Sequence, residues 1–105
     1  MTIDGFKQSL RTGDQPVGLT DALHALWHDA RGEWDEAHAI AQADSGRECS
    51  RVHAYLHRRE GDESNARYWY ARAQYPPVTS SLEEEWESLV HEFLATTFDD
   101  KSEMP

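Results

Sequence analysis

The chain has 105 residues, of which 20 are Asp or Glu and 10 are Lys or Arg, so its formal net charge at pH 7 is −10. An electrostatic field of this sign repels nucleic acid and anionic membrane surfaces, and we exclude both as partners. The length fits one domain with a modest core. Because Cys49 is the only cysteine, no disulfide forms within the chain.

Residues 1–18 mix Gly, Asp, Gln and Pro16 without a sustained helical or strand period. This pattern predicts an N-terminal arm whose Phe6 docks onto the domain. The segment also lacks the basic start and the continuous apolar run of a secretory signal. Together with the unpaired cysteine, this composition favours a cytoplasmic protein.

Two helices are predicted after the arm. Thr20 has the side chain of an N-cap, apolar residues then recur at helical spacing, and Gly32 supplies a left-handed stop. The following stretch EWDEAHAIAQA has acids near its start, where the helix dipole favours them, and apolar residues on one face. We expect these two helices to form a hairpin.

Three more helices are predicted in the second half of the chain. The third ends at Gly61, and Asp62 is then the N-cap of the fourth, which Pro76-Pro77 terminates. Ser81-Leu82-Glu83-Glu84 has the form of a capping box, and Glu83-Glu84-Glu85 supplies a charged first turn for the fifth helix. No segment alternates as a strand does, so the predicted fold class is all-α.

The predicted helices make up a single domain. We expect a compact, right-handed bundle of five helices, built from two antiparallel hairpins and a C-terminal helix. The predicted boundaries are an N-terminal arm at residues 1–18, the helical domain at residues 19–97 with hairpins at 19–45 and 47–75 and the last helix at 81–97, and a loose acidic tail at residues 98–105.

The two predicted hairpins repeat each other, since Gly61 follows Gly32 by 29 residues. Duplication of one helical hairpin is the simplest explanation of this register. In each copy the glycine reverses the chain, and a small alanine lets the second helix press close against the first. The residues that align at this offset include His24 with His53, Ala25 with Ala54, His28 with His57 and Ala37 with Ala66.

The turn GEWDEA, followed by a second helix, resembles the tetratricopeptide-type hairpin, whose turn commonly reads glycine, acid, aromatic, acid, acid, alanine. The resemblance covers residues 19–73 and implies helix pairs that stack into a peptide-binding superhelix. The offset is shorter than the ~34-residue period of that family, which favours a closed bundle with the fifth helix in the groove. The combination of VHAYLHRREGD with NARYWY also resembles a small family of bacterial proteins, a resemblance that implies no activity.

The main functional hypothesis is a non-catalytic module that binds a protein or peptide and needs no cofactor. Aromatic and guanidinium groups in ARYWYARAQY can stack and accept a peptide, a carboxylate or a sugar face. The other interpretation of these aromatics is core packing between the first hairpin and the fifth helix. The predicted binding patch consists of His53, Tyr55, His57, Arg67, Tyr68 and Arg72.

The alternative hypothesis is a helical protein that binds zinc or iron and acts as a hydrolase or a redox enzyme. Two histidine pairs are each spaced four residues apart, so each pair shares a helix face and offers two nitrogens to an ion. If the repeated helices pack side by side, the two pairs converge. The predicted ligands are the pairs His24/His28 and His53/His57, with His38, Asp29 and Glu60 as accessory groups.

A simpler interpretation makes the histidines a polar helix edge. His53 and His57 lie at the boundary of the apolar stripe that contains Tyr55, and duplication of one ancestral pair accounts for both pairs. A third use of the surface is packing into a homo-oligomer. No serine, cysteine or lysine nucleophile stands in a catalytic motif, and no glycine-rich phosphate loop is present, so we favour a protein that is not an enzyme.

Overall fold

The computed structural model describes residues 1–98, and within them the chain forms six α-helices and no strand. The predicted all-α class is therefore confirmed, whereas the predicted number of five helices is one too low. None of the six helices has the length and apolar composition needed to cross a membrane. Their bounds are α1 Ile3–Thr12, α2 Asp21–Ala30, α3 Trp34–Gln42, α4 Arg47–Arg59, α5 Glu63–Arg72 and α6 Leu82–Phe98.

The helix that sequence patterning missed is α1, which forms within the segment expected to be an arm. Thr2 caps it, because its hydroxyl oxygen accepts a hydrogen bond from the Gly5 amide at 3.0 Å. Gly13 ends it in the left-handed conformation, with a φ of 83°. Phe6 is the only buried residue of this helix. Ile3 and Leu10, on the same face as Phe6, are partly buried and pack on the same core. The segment therefore contains a short apolar period, which the polar residues around it obscured.

The side chain that docks α1 is Phe6, as expected from the sequence. It is fully buried, and its ring centroid lies 6.0 Å from that of Trp86 on α6. Beside this contact, Lys7 Nζ donates a hydrogen bond to Glu87 Oε1 at 2.9 Å. The ring contact removes apolar area from water, while the ion pair at the surface adds little free energy.

The turns that follow α2 and α4 have the same backbone hydrogen bonds. The Glu33 amide donates to the His28 carbonyl at 3.0 Å. The Asp62 amide, which occupies the equivalent position in the repeat, donates to the His57 carbonyl at 2.8 Å. The glycine before each of these amides has a positive φ, 80° in the first turn and 86° in the second. Glycine adopts this conformation without steric cost, which explains why both turns contain one.

The helices pack with α4 at the centre. Consecutive helices α2 and α3, α3 and α4, and α4 and α5 lie against one another, and α6 packs on α2 and α4. Ala37 and Ala66, the alanines of the repeat, are both buried where their helices meet the preceding one. The Cα radius of gyration is 13.4 Å, close to the ~13 Å of a compact domain of about 100 residues.

The start of α6 contains the predicted capping box. The Glu84 amide donates to Ser81 Oγ at 3.0 Å, and the Ser81 amide donates to Glu84 Oε1 at 3.2 Å. Glu85 differs from the expected charged turn, because it is buried and accepts hydrogen bonds from Tyr70 and Arg58. The acidic tail expected after α6 lies, from residue 99 onwards, outside the described residues.

The docking of α1 leads to a prediction about stability. Replacing Phe6 with Ala should lower the free energy of unfolding by about 3–5 kcal/mol, because it leaves a cavity where a fully buried ring packs. Val17, which is 91% exposed, is the control, and Val17→Ala should change the value by less than about 0.5 kcal/mol. Urea unfolding measures both. Equal stability of the two variants would show that α1 is not part of the cooperative unit.

Candidate metal centre

The central helix α4 is buried along nine consecutive residues, from Cys49 to His57. A helix that is buried on every side is normally apolar all round. This one instead includes buried polar side chains, each of which needs a hydrogen-bond partner to offset the loss of water. They are Ser50, Arg51, His53 and His57.

Arg51 has its partners at the contact of α4 with α6. Its Nη1 donates to Glu92 Oε2 at 2.8 Å. Its guanidinium carbon lies 3.8 Å from the ring centroid of Tyr75 and 5.3 Å from that of Phe93. Stacking on aromatic faces and pairing with a carboxylate together satisfy this buried cation.

Tyr55 and Asp29 form a second buried polar contact, between α4 and α2. The Tyr55 hydroxyl donates to Asp29 Oδ2 at 2.9 Å, and Arg59 Nε lies 3.0 Å from Asp29 Oδ1. Burial raises the pKa of the Asp29 carboxyl, while the hydrogen bond from Tyr55 and the Arg59 charge lower it. Both carboxylate oxygens are therefore occupied, and Asp29 does not join the histidines as the accessory ligand that the sequence predicted.

Three histidines from two helices meet on another side of α4. His38 comes from α3, whereas His53 and His57 come from α4, and one ligand atom from each lies within 4.8 Å of the others. The Nε2 atoms of His38 and His53 are 3.0 Å apart. The rings of His53 and His57 are stacked, with centroids 4.9 Å apart. We call these three residues the three-histidine site.

Two tryptophans hold the rings of this site in place. Trp34 stacks on His38 with a centroid distance of 4.8 Å and an interplanar angle of 10°. Its Nε1 donates to the Leu56 carbonyl at 3.0 Å, which ties α3 to α4. Trp69 of α5 stacks on His53 at 3.9 Å. Because packed rings lose little further freedom when they bind a ligand, the site is preorganised.

Glu60 sets the tautomer of His57. Its Oε2 is 2.7 Å from His57 Nδ1, so that nitrogen donates to the carboxylate, and in the neutral ring Nε2 is the atom with the lone pair. A carboxylate on the remote nitrogen is the usual partner of a metal-bound histidine. Asp62 also lies within 4.8 Å of His57 and Glu60, but it caps α5 by accepting a hydrogen bond from the Asn65 amide at 3.2 Å.

His53 is the deepest ligand of the three. It is 3% exposed, and its Nδ1 is buried without a hydrogen-bond partner. Burial, followed by the nearby charges of His38 and His57, lowers the pKa of His53 to about 4. The pKa of His38 is also lowered, mainly by burial and then by His57. Both imidazoles are therefore neutral near pH 7, the form that binds a metal ion.

The other histidine pair forms a separate cluster. The Nε2 atoms of His24 and His28 on α2 are 3.2 Å apart, and His28 Nδ1 is 2.7 Å from Glu33 Oε1. Within residues 1–98, the groups of three or more close ligand atoms do not include this pair. The structure therefore does not bring the two predicted pairs together, and His38 completes one of them instead.

The residues of the predicted binding patch do not share one exposed surface. His53, Tyr55 and His57 are buried in α4, as described above. Arg67, Tyr68 and Arg72 are exposed on α5. Arg72 Nη1 lies 3.4 Å from the Tyr68 hydroxyl, and the guanidinium carbon is 5.0 Å from the ring centroid of Trp69. The exposed part of the patch is thus confined to α5.

Sequence reasoning gave His38 an accessory role and did not single out the two tryptophans beside the site. The sequence spacing does indicate one of these contacts, because Trp34 and His38 are four residues apart and therefore share a helix face. No local signal places Trp69 beside His53, since that contact depends on how α5 packs against α4. Comparison of the chain with family models, with curated proteins and with solved structures gives no significant match.

The contact between Tyr55 and Asp29 can be tested through stability. Tyr55→Phe leaves Asp29 Oδ2 buried without its donor, and we expect a loss of about 1–3 kcal/mol in the free energy of unfolding. Tyr68→Phe is the matched control, because Tyr68 is 53% exposed, and it should change the value by less than about 0.5 kcal/mol. Denaturant unfolding compares the pair. If Tyr55→Phe is as stable as the wild type, the hydrogen bond is not a net stabilising contact.

Proposed function

We propose that this protein binds a divalent transition-metal ion, with zinc as the first candidate, through His38, His53 and His57. The observation that carries the proposal is the approach of three ligand atoms to within 4.8 Å of one another. Three imidazoles on two packed helices form a compact set of nitrogen donors. The alternative hypothesis from the sequence uses both histidine pairs with His38 as an accessory group, and the packing of α3 against α4 supports the smaller set proposed here.

The distances fit zinc after a small adjustment. In a tetrahedral site with bonds of about 2.1 Å, neighbouring nitrogens lie about 3.4 Å apart. The His38 and His53 nitrogens are already 3.0 Å apart. An inward shift of His57 on the order of 1 Å completes the set, which is within reach of a change in side-chain torsion.

The donor type restricts which ion is bound. Imidazole nitrogens suit zinc, copper, nickel and iron, while oxygen-rich sites suit magnesium and calcium. The only thiol, Cys49, has no part in the site, and burial raises its pKa to about 12. Of the two ions that the sequence suggests, zinc or iron, zinc binds such a site more tightly than iron(II) does, so zinc is the better candidate of the two.

Three protein ligands leave a fourth position for water or a small anion, as in catalytic zinc sites. His53 and His57 are buried, whereas His38 is only partly buried, so the open position is reached from the side of His38. A zinc ion in such a site lowers the pKa of bound water and supports hydrolytic chemistry. Hydrolysis is therefore the reaction class to test first once the ion is identified.

A second candidate function is the protein or peptide interaction module. Exposed Tyr68 is the observation that favours it, together with Arg67 and Arg72 on the same helix. Aromatic and arginine side chains dominate the energetics of protein interfaces. Under this proposal the helix pairs α2–α3 and α4–α5 are tetratricopeptide-like copies, which their matching turn hydrogen bonds support, and the protein is cytoplasmic, which a single unpaired thiol favours.

The metal proposal predicts about one zinc per chain in protein purified without a histidine tag and dialysed against zinc. His38→Ala should lose this ion, because it removes one of three ligands while leaving the buried residues of α4 in place. His91 is exposed on α6 and outside the site, so His91→Ala is the matched control and should retain it. Elemental analysis measures the content.

A second variant, whose folding is measured separately, distinguishes loss of ligands from loss of structure. His53→Ala/His57→Ala should also lose the ion, and circular dichroism establishes whether it remains helical. Zinc at about a hundredfold excess over the dissociation constant of the three-histidine site should stabilise the wild type by about 3 kcal/mol, and His38→Ala should lack the gain from this site. Wild-type protein that retains neither zinc nor iron(II), or equal zinc content in His38→Ala and wild type, would refute the proposal.

The interaction proposal predicts that a partner captured by the wild type is lost with Tyr68→Ala/Arg72→Ala. Truncation of both side chains removes the exposed aromatic and a cation, and hot-spot residues of this kind typically contribute 2 kcal/mol or more, at least about a thirtyfold loss of affinity. Glu63→Ala, at the exposed start of α5, is the control. Unaltered capture by the double variant would remove this surface from consideration.

A further inference from the structure

The pair His24 and His28 offers two of the ligands that a metal ion needs. Their Nε2 atoms are 3.2 Å apart and their ring centroids 4.9 Å apart. In the part of the chain that the structure describes, the pair belongs to no group of three ligand atoms that all lie within 4.8 Å of one another. Because tetrahedral zinc takes four ligands, this pair is half of a coordination shell.

Glu33 prepares His28 to bind an ion in the way that Glu60 prepares His57. Its Oε1 accepts a hydrogen bond from Nδ1 of His28 at 2.7 Å, and in the neutral ring this places the lone pair on Nε2. His24 then donates its own Nε2 proton to that lone pair in the metal-free protein. When an ion binds, His24 moves this proton to Nδ1, so both Nε2 atoms become ligands without a net loss of protons.

The surroundings of the pair favour a cation and leave it accessible. The carboxylates of Asp21 and Glu36 interact electrostatically with His24. His28 keeps 16% of its side chain exposed, and His24 is only partly buried. The three-histidine site differs in this respect, because α3 and α5 enclose His53 there. The open pair can therefore reach ligands that come from outside the chain.

We propose that a zinc ion bridges two copies of this chain through His24 and His28 of each copy, so that a homodimer forms only with the metal. Two pairs related by a twofold axis supply four imidazole nitrogens, which is a complete tetrahedral set. Without metal, the net charge of −10 on each copy opposes association. The inference does not rest on the three-histidine site, since the two share no residue.

Sedimentation velocity of the full, tag-free chain tests the proposal with added zinc, with magnesium and with a chelator. With zinc, the apparent mass of the wild type should be twice that of the 12.0 kDa monomer. With the chelator or with magnesium, which prefers oxygen ligands, the wild type should be a monomer. His24→Gln/His28→Gln should remain monomeric with zinc. The matched control His91→Ala should form the dimer as the wild type does.

A zinc titration separates this proposal from the first one. If both sites exist, the dimer holds three ions, one in each chain and one shared; His38→Ala then dimerises with the shared ion alone. If only the bridging site exists, the wild-type dimer also holds one ion, the shared one. A wild type that stays monomeric with zinc, or a pair variant that dimerises as well as the wild type, overturns the proposal. Circular dichroism of the pair variant excludes unfolding as the cause.

Discussion

The structure depends on the burial of a polar helix. Helix α4 is surrounded by the other helices although it carries Arg51, His53 and His57 along its buried length. These groups and Tyr55 lose water on folding and need partners; His57 has Glu60 at the end of α4 itself, whereas Arg51, His53 and Tyr55 contact side chains of neighbouring helices. Polar contacts as well as apolar area therefore determine which helices pack on α4. Helix α2 contributes Asp29, α3 contributes His38, and α6 contributes Glu85 and Glu92.

This requirement explains why polar contacts cross nearly every helix interface. Glu85 of α6 accepts hydrogen bonds from Tyr70 of α5 and Arg58 of α4, which joins three helices at one buried carboxylate. Burying such a carboxylate lowers stability unless well-placed partners offset the loss of its hydration. Directional bonds of this kind favour one arrangement of the helices, whereas apolar packing alone tolerates several.

Residues that align at the 29-residue offset have different environments in the two halves of the chain. The turns after α2 and α4 have the same hydrogen bonds, and a carboxylate lies on Nδ1 of the second histidine in each pair. The helices that cover the two pairs differ, however. His53 and His57 lie beneath α3 and α5, and the covering helix α3 adds His38 as a third nitrogen. Helix α3 packs on α2 as α5 packs on α4, but within the described residues no third ligand atom completes a close group with His24 and His28. The same sequence pattern therefore yields a three-ligand site in one copy and an open pair in the other.

The sequence predicted those features that short-range chemistry determines. Caps and glycine stops placed α2 to α6 to within a few residues, because these signals act over one turn of helix. Tertiary position was not predictable in the same way. Glu83, Glu84 and Glu85 are chemically identical neighbours, and only the direction of α6 decides that Glu85 is buried. The approach of His38 to His53 likewise depends on the packing of α3 on α4, which periodicity does not specify.

The unpartnered nitrogen of His53 links stability to the proposed site. An apolar side chain at this position would fill the core without an unsatisfied atom, while a buried polar atom without a partner costs about 1–3 kcal/mol. An ion present at about a hundredfold excess over its dissociation constant contributes a stabilisation of about 2.7 kcal/mol. The two magnitudes are comparable, so metal binding is large enough to offset the cost of burying this imidazole. Proteins typically break such local rules at functional sites and offset the cost elsewhere, and within residues 1–98 His53 is the position with a buried side-chain atom that lacks a partner.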